Sequence, residues 1–183
     1  RRRHTRSLCD WSSDVCSSDL RGMSKDKAAA VTREVCCNLK VALSSLPDKD
    51  AINPILVSRS DSTLRGHYPV ETNIIAEELG PFDAHFLIPA FFEGGRITRD
   101  GTHYLVVAAS DGNDDSGSGK KLIPCHETEF AKDSVFGYTT AFLPDYVAEK
   151  TKGKIPADMV ERFRLSDVRS EEHTSELQSH SDL

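Results

Sequence analysis

Apolar side chains in the first part of the chain recur at helical spacing. Between residues 24 and 46 they stand at Ala28, Val31, Val35, Leu39, Ala42 and Leu46. This is the 3.6-residue period of a half-buried helix. Ser24 is a residue type that caps helix N-termini, and Pro47-Asp48 ends the pattern. The pattern therefore predicts a helix from Ser24 to about Leu46.

Two short apolar runs predict buried strands. They are Pro54–Val57 (PILV) and Ala84–Pro89 (AHFLIP), and both suit a parallel sheet that is covered on each face. Between them a second helix is predicted, with Pro69 in its first turn and Gly80 after its end. Because helices and strands alternate, we expect βαβ units in a layered α/β/α domain with a mainly parallel sheet.

Shorter elements follow in the second half of the chain. Asp100-Gly101 is a tight-turn signal between two strand-like runs, so a hairpin is predicted over residues 96–107. Short helices are predicted around residues 127–132 and 144–150. Residues 160–165 alternate like a strand, and Ser166-Asp167 is typical of a helix cap.

The polar loop Ser110–Gly119 (SDGNDDSGSG) has a superficial likeness to two ligand-binding motifs. An EF-hand calcium loop needs glycine and glutamate where Ser116 and Leu122 stand. A phosphate-binding P-loop needs lysine directly after its second glycine, but Ser118 follows Gly117. We therefore predict a mobile hairpin tip and no nucleotide site in this loop.

Both ends of the chain carry peptides of foreign character. Residues 10–20 (DWSSDVCSSDL) and 169–179 (RSEEHTSELQS) look like translations of the two opposite strands of one common sequencing-library adapter. We therefore expect residues 1–20 and 169–183 to be disordered, artefactual additions. Residues 21–168 are then the natural part of the chain.

Length and charge limit the classes of protein that remain. Residues 21–168 suffice for one domain with a hydrophobic core, or for part of a larger protein. The whole chain has 23 Lys and Arg against 29 Asp and Glu, and removing the 5 basic and 7 acidic residues of the two ends leaves 18 against 22. A mildly acidic chain without a basic run argues against a nucleic-acid partner. No apolar stretch approaches the roughly 20 residues that span a bilayer, so we expect no membrane partner.

The cysteines point to neither a metal site nor a disulfide framework. Outside the two ends the chain has Cys36, Cys37 and Cys125, without a C-x-x-C pair or the ligand spacing of zinc sites. We expect reduced thiols that pack within a cytoplasmic protein.

The stretch SRSDSTLRGHYPVE, residues 58–71, concentrates charged and hydroxyl side chains between a predicted strand and a predicted helix. In open α/β sheets ligands bind beyond the carboxyl ends of the strands, where this loop would lie. Arg65 offers a planar fork for a carboxylate, and Asp61 accepts hydrogen bonds or a proton from hydroxyl groups. A structural alternative stays open, in which Asp61 caps the turn and Arg65 makes a surface ion pair.

Further polar groups adjoin these two residues. Ser62 and Thr63 add short donors and acceptors, and Gly66 allows close approach of the backbone. A second loop, residues 89–96 (PAFFEGGR), follows the next predicted strand and brings the guanidinium of Arg96. An ordinary turn explains that loop alone, but two adjacent strand ends that each deliver an arginine favour a site for small anions.

Four motifs occur in a fixed order along the chain, namely DSTLRG (61–66), PAFFEGGR (89–96), DGTHYLV (100–106) and ETEFAKD (127–133). In this order and with these gaps they resemble the N-terminal, sugar-binding domain of the four-carbon acid sugar kinases. The likeness continues through FGY (136–138) and VAEKTKG (147–153), so it covers essentially all of residues 21–168.

The resemblance implies an ATP-dependent phosphotransferase that acts on a hydroxyl group of a tetronate or 3-oxotetronate. In such two-domain enzymes the N-terminal domain holds the acid sugar, and a C-terminal domain holds ATP and Mg²⁺. By resemblance the catalytic role falls on Asp61. The substrate-binding role falls on Ser62, Thr63, Arg65, Gly66, Arg96, Glu127 and Asp133. For Glu127, capping of a helix is an equal alternative.

The chain also departs from the pattern of that family. Ser58-Arg59 stands where a lysine is usual, and His67 stands where asparagine is common. The first strand of the family should precede residue 21, so we expect a sheet that is incomplete at its N-terminal edge. We likewise expect the nucleotide-binding domain to lie outside these residues.

These observations predict the substrate-binding part of a cytoplasmic carbohydrate kinase, inactive by itself. Its expected partner is a small-molecule acid sugar, and a homo-oligomer is left open. The alternative is a non-enzymatic sugar-acid binding or sensing module.

Overall fold

The computed structural model describes residues 20–47, 54–108 and 119–169, with side chains as far as residue 167. The predicted hairpin tip at 110–118 and nearly all of the two terminal segments lie outside these ranges. Within them the helices are α1 (Lys25–Ser44), α2 (Val70–Leu79), α3 (Leu143–Lys150) and α4 (Leu165–Arg169). The strands are β1 (Arg96–Arg99), β2 (Thr102–Ala108) and β3 (Lys120–Pro124). Short 3-10 turns cover Leu20–Gly22, Phe92–Gly94, Cys125–Glu127, Glu129–Lys132 and Ala157–Met159.

Helix α1 confirms the first prediction and packs along α2. Its buried face consists of Ala28, Thr32 and Cys36, which are spaced four residues apart. Arg33 extends to α2, where it pairs with Glu77 over 2.9 Å and also with Glu78. The buried face is therefore narrower than the predicted stripe, and Val35 remains partly exposed.

The sheet is small and antiparallel, in the order β1-β2-β3. Asp100 and Gly101 have φ values of 51° and 82°. Positive φ at both central residues is what a two-residue type I′ hairpin requires, so the Asp-Gly prediction is confirmed. In the resulting register Thr98 on β1 lies opposite His103 on β2.

A parallel sheet is not confirmed. Residues 54–57 and 84–89 are extended, but neither run joins a ladder in the part of the chain that is described. Ile55 is 92% exposed and Ile88 78% exposed, whereas buried strands were predicted. A strand needs a hydrogen-bonded neighbour, and an apolar run alone does not supply one. The described part is therefore a mixed α/β structure.

The strand predicted over residues 160–165 is also not formed. Residues 160–164 are irregular, and α4 begins at Leu165. The helix predicted from Ser166-Asp167 is present, and the Asp167 carboxylate accepts a hydrogen bond from the Arg164 N–H at 2.8 Å. This bond is of the kind that closes the first turn of a helix.

The hydrophobic core lies between the DSTLRG loop, the start of the Cys125–Glu127 turn and α3. Its buried members are Leu64, Cys125, Ala131, Tyr138, Ala141, Leu143, Tyr146 and Val147. Tyr146 stacks on Tyr68 at 5.8 Å between ring centroids and makes an edge contact with Tyr138 at 5.7 Å. Among the described residues, no helix has the length and apolar character needed to cross a membrane.

Candidate anion and hydroxyl site

The DSTLRG loop is a tight turn closed by its own first residue. The Asp61 carbonyl accepts a hydrogen bond from the Leu64 N–H at 3.3 Å, and Asp61 Oδ2 accepts one from the Thr63 N–H at 3.2 Å. The second bond is an Asx turn, which a short carboxylate forms with the amide two residues on. Leu64 follows with φ +65°, a conformation that costs a residue with a Cβ about 1–2 kcal/mol. Burial of the Leu64 side chain in the core holds it there.

Two buried tyrosines fix the carbonyl groups of this loop. Tyr138 donates its hydroxyl to Thr63 O at 2.8 Å, and Tyr146 donates to Leu64 O at 2.9 Å. Burial raises the pKa of both phenols, so they remain protonated donors at neutral pH. The loop therefore rests on a rigid aromatic base, which orients the side chains of Asp61 and Arg65.

Asp61 is ionised and surrounded by donors. Arg65 Nε donates to Oδ2 at 2.9 Å, Arg21 Nη1 donates to Oδ1 at 2.7 Å, and the Thr63 hydroxyl also donates to Oδ2. Burial opposes ionisation, but the hydrogen bonds from Thr63 and Arg65 outweigh it, so the pKa of Asp61 lies below its ordinary value. A carboxylate with a low pKa is a weak base at neutral pH, and the geometry favours orienting a hydroxyl over deprotonating it.

The structural alternative for Asp61 and Arg65 is thus partly realised. Asp61 caps the turn and Arg65 pairs with it, but their side chains are only 15% and 23% exposed, so the pair is not on the surface. The pairing uses mainly Nε of Arg65. Its terminal nitrogens have longer contacts, Nη2 at 3.5 Å from Asp61 and Nη1 at 4.0 Å from Asp133. Those two nitrogens retain hydrogen-bonding capacity for an anion.

Phe130 contacts both predicted arginines. The guanidinium carbon of Arg65 lies 5.0 Å from the centroid of the Phe130 ring, and that of Arg96 lies 5.7 Å from it. Both distances suit cation–π contacts, which attract a guanidinium to an aromatic face. Both arginines predicted from the two loops therefore contact the same aromatic ring.

The guanidinium of Arg96 occupies space that a glycine leaves open. It lies 5.5 Å from the ring centroid of Phe91, and a Cβ on Gly94 would collide with both Arg96 Nη1 and the Phe91 ring. Arg96 Nε is buried and has no hydrogen-bond partner in the described part of the chain. A buried donor without a partner is costly, and an anionic ligand would satisfy it.

The remaining predicted residues differ in their placement. Asp133 lies near Arg65, and its pKa is lowered by hydrogen bonds to Oδ1 from the Phe136 N–H at 3.0 Å and the Val135 N–H at 2.9 Å. Asp133 is therefore a turn-closing residue at the edge of the site. Glu127 is exposed, and within the described ranges its carboxylate has no hydrogen bond that would indicate capping or binding.

Ser62 and Gly66 contribute through the backbone. Ser62 presents its carbonyl to His103 Nε2 at 2.7 Å. Gly66 has φ +156°, and a Cβ there would collide with the Ser60 hydroxyl, so the turn requires glycine. His67, which departs from the family pattern, is buried with Nε2 at 3.1 Å from Met23 O.

Sequence reasoning missed Arg21, Phe130, His103 and the two tyrosines. Phe130 and His103 lie inside the quoted motifs, which is the signal that would have singled them out. Tyr138 acts on a residue 75 positions away, and no local spacing reveals such a contact.

No cluster of three or more His, Cys, Asp or Glu side chains in the described ranges could hold a metal ion. A depression of about 490 Å³ lies elsewhere and contains none of the predicted site residues. It is lined by Phe142, Pro144, Ala157, Asp158, Val160, Glu161, Arg162, Arg164 and Asp167. Charged side chains line that depression as well. We place the candidate site at Asp61, Arg65 and Arg96 because these residues belong to the predicted motifs, Arg65 pairs with Asp61, and both arginines contact Phe130.

Comparison with known proteins agrees with the motifs. Residues 5–182 match the model of the family described as the sugar-binding N-terminal domain. Comparisons with curated proteins and with solved structures gave no match. The match is consistent with the N-terminal domain of the four-carbon acid sugar kinases, and it extends into both terminal segments that the sequence predicts to be additions. The chain belongs to the family of sugar-binding N-terminal domains.

Proposed function

We propose that this chain is the substrate-binding part of an ATP-dependent kinase that phosphorylates a four-carbon acid sugar, a tetronate or a 3-oxotetronate. The observation that carries the proposal is the pair of guanidinium groups of Arg65 and Arg96 around Phe130, beside the ionised Asp61. An acid sugar has a carboxylate at one end and hydroxyl groups along the rest. The two cationic guanidinium groups suit the carboxylate, and the neighbouring Asp61 carboxylate suits the hydroxyl groups as a hydrogen-bond acceptor.

Each end of the ligand has its own partners. The terminal nitrogens of Arg65 and the Nε of Arg96, which has no partner among the described residues, receive the carboxylate, because guanidinium groups donate parallel hydrogen bonds to it. The Asp61 carboxylate and the hydroxyl oxygen of Thr63, whose hydrogen is donated to Asp61, accept hydrogen bonds from the sugar hydroxyls. The backbone at Ser62 and Gly66 forms the floor of the site.

ATP and Mg²⁺ would be held by a separate nucleotide-binding domain. Phosphoryl transfer depends mostly on positioning and charge stabilisation, so the contribution of this chain is to orient the accepting hydroxyl. In that intact cytoplasmic enzyme, residues 54–57 and 84–89 would pair as strands of a parallel, layered sheet. Their exposed apolar side chains support this part of the proposal.

A non-enzymatic sugar-acid binding module is the second candidate. The observation that favours it is the low pKa of Asp61, whose two carboxylate oxygens already accept hydrogen bonds. Such a carboxylate suits binding better than proton abstraction.

Calorimetric titration of the chain tests the binding role. We expect erythronate and threonate to bind. Erythritol has four carbons and hydroxyl groups but no carboxylate, and we expect it to bind at least tenfold more weakly, because about one charged hydrogen bond is lost. Equal affinity for erythronate and erythritol would contradict the anion site. For a longer protein that includes the nucleotide domain, ATP turnover with these acids supports the kinase, and binding without turnover supports the binding module.

A further inference from the structure

A chain of hydrogen bonds joins the two arginine-bearing loops through the sheet. His103 on β2 is completely buried, and its Nε2 lies 2.7 Å from Ser62 O in the DSTLRG loop. Its Nδ1 lies 3.0 Å from Thr98 Oγ1 on β1. The Thr98 hydroxyl lies within 3.0 Å of Pro89 O, at the start of the PAFFEGGR loop.

The donor and acceptor capacities of these groups set the direction of each hydrogen bond. Ser62 O accepts only, so His103 Nε2 must carry a hydrogen and donate it. The Thr98 hydroxyl has one hydrogen, which it shares between Pro89 O and His103 Nδ1. Breaking the chain at Thr98 therefore removes the hydroxyl partner of a buried ring nitrogen, whereas water can replace the exposed contact with Pro89 O.

The PAFFEGGR loop is closed by hydrogen bonds at the start of β1, the strand that carries Thr98. Phe91 and Arg96 exchange backbone hydrogen bonds at 2.9 and 2.8 Å, and the contact from Thr98 to Pro89 continues this pairing by one more step. Arg96 and Thr98 stand two residues apart on β1, so their side chains leave the same face of the strand. A shift of Thr98 would therefore move Arg96 with it.

We propose that His103 and Thr98 are positioning residues that set the placement of Arg65 relative to Arg96, and thereby the fit of the acid-sugar carboxylate. This inference rests on the proposed function for its ligand. Neither residue touches the ligand. They act by tying Ser62, three positions before Arg65, to Pro89, which opens the loop that ends at Arg96. Two-point recognition of a carboxylate tolerates displacements of only about 0.5 Å.

The test uses the whole chain and the variant Thr98→Val, which keeps the shape and β-branching of the side chain and removes the hydroxyl. Thr98→Ser restores the hydroxyl. Thr32→Val is the control, because it also removes a threonine hydroxyl that donates to a backbone carbonyl, Ala28 O at 2.8 Å, but on α1. Thr32 is buried whereas Thr98 is exposed, so the control substitution is the more demanding of the two. These substitutions are milder than replacement of the buried His103, which risks unfolding the chain.

Amide hydrogen exchange supplies a readout that needs no ligand. The amides of Thr63 and Leu64 report on one loop, and those of Phe91 and Arg96 report on the other. We expect Thr98→Val to speed exchange in both loops, Thr98→Ser to restore protection, and Thr32→Val to leave both loops unchanged. Faster exchange confined to Phe91 and Arg96 would overturn the link between the loops.

Affinity for erythronate supplies the second readout. We expect Thr98→Val to weaken binding about fivefold, the usual effect of one hydrogen bond, and Thr98→Ser to recover it. Faster exchange in both loops with unchanged affinity would overturn the positioning role. A wild-type chain that binds no erythronate would overturn the proposed function, and exchange alone would then decide whether the loops are linked.

Discussion

Arg65 and Asp61 form a half-buried ion pair within one turn, with Nε of the arginine 2.9 Å from Oδ2 of the aspartate. The contact keeps the guanidinium in place while its terminal nitrogens stay 3.5 Å or more from the carboxylates of Asp61 and Asp133. The pair therefore leaves those nitrogens with hydrogen-bonding capacity for an anion, which is what the proposed site requires.

Substitution of Arg65 by lysine tests whether the fork matters beyond its charge. Arg65→Lys keeps a cation beside Asp61 but removes the planar set of donors. We expect affinity for erythronate to fall about tenfold, as for one charged hydrogen bond, while affinity for erythritol stays the same. Calorimetric titration measures both.

Arg33→Lys is the matched control for that substitution. Arg33 also bridges two elements, from α1 to Glu77 and Glu78 on α2, but it belongs to no part of the candidate site. Its substitution should leave erythronate affinity unchanged. An Arg65→Lys chain that binds erythronate like the wild type would remove the Arg65 fork from carboxylate recognition.

The ionised state of Asp61 predicts how stability depends on pH. Because the pKa of Asp61 is lowered in the folded chain, its contribution to the free energy of unfolding is fully present above the ordinary carboxyl pKa of about 4. That contribution is lost as the pH falls towards the lowered value. We therefore expect the free energy of unfolding to decline below about pH 4.

Asp61→Asn should flatten part of this decline, since the asparagine cannot take up the proton. Chemical denaturation between neutral pH and acid measures the free energy of unfolding for both chains. The variant should be less stable than the wild type at neutral pH and closer to it in acid. Parallel curves for the two chains would show that Asp61 does not lie in the ion pair.

Local rules account for the features that the sequence predicted well. The hairpin follows from Asp100-Gly101, because both residues take the positive φ that the turn needs. The cluster of Asp61, Thr63 and Arg65 follows from their two-residue spacing, which places them around one tight turn. In each case the deciding contacts lie within a few residues.

Features that depend on distant partners were not predictable in this way. The apolar runs at 54–57 and 84–89 have strand composition, yet pairing requires a neighbour that an apolar pattern does not specify. Phe130 and Tyr138 join the site from far along the chain. Their alignment with Arg65 and Thr63 arises from tertiary packing, which periodicity does not encode.

Removal of either tyrosine hydroxyl should loosen the loop. Tyr138→Phe leaves Thr63 O without its main donor, and Tyr146→Phe does the same to Leu64 O. We expect each to lower the free energy of unfolding by about 1–2 kcal/mol, the usual cost of a buried carbonyl left unpaired. Tyr104→Phe, in β2, serves as the control with little expected change. Equal losses for all three variants would show that the hydroxyl bonds to the loop are not what stabilises it.

Gly94→Ala tests Arg96 without altering any charge. The new Cβ would collide with Arg96 Nη1 and the Phe91 ring, so the guanidinium must leave its place above Phe91 or Phe91 must shift. We expect erythronate affinity to fall about tenfold and the free energy of unfolding to fall by about 1–3 kcal/mol, as in other overpacked sites.

Gly119→Ala separates the loss of erythronate affinity from the loss of stability. A Cβ on Gly119 would meet no atom of the described residues within 4 Å, but its φ of +66° makes alanine unfavourable, so this variant loses stability without crowding Arg96. Its affinity for erythronate should therefore stay at the wild-type value when both are measured by calorimetry well below the unfolding temperature. If Gly94→Ala also retained that affinity, the placement of Arg96 above Phe91 would not matter for the carboxylate, and Arg65 alone would have to bind it.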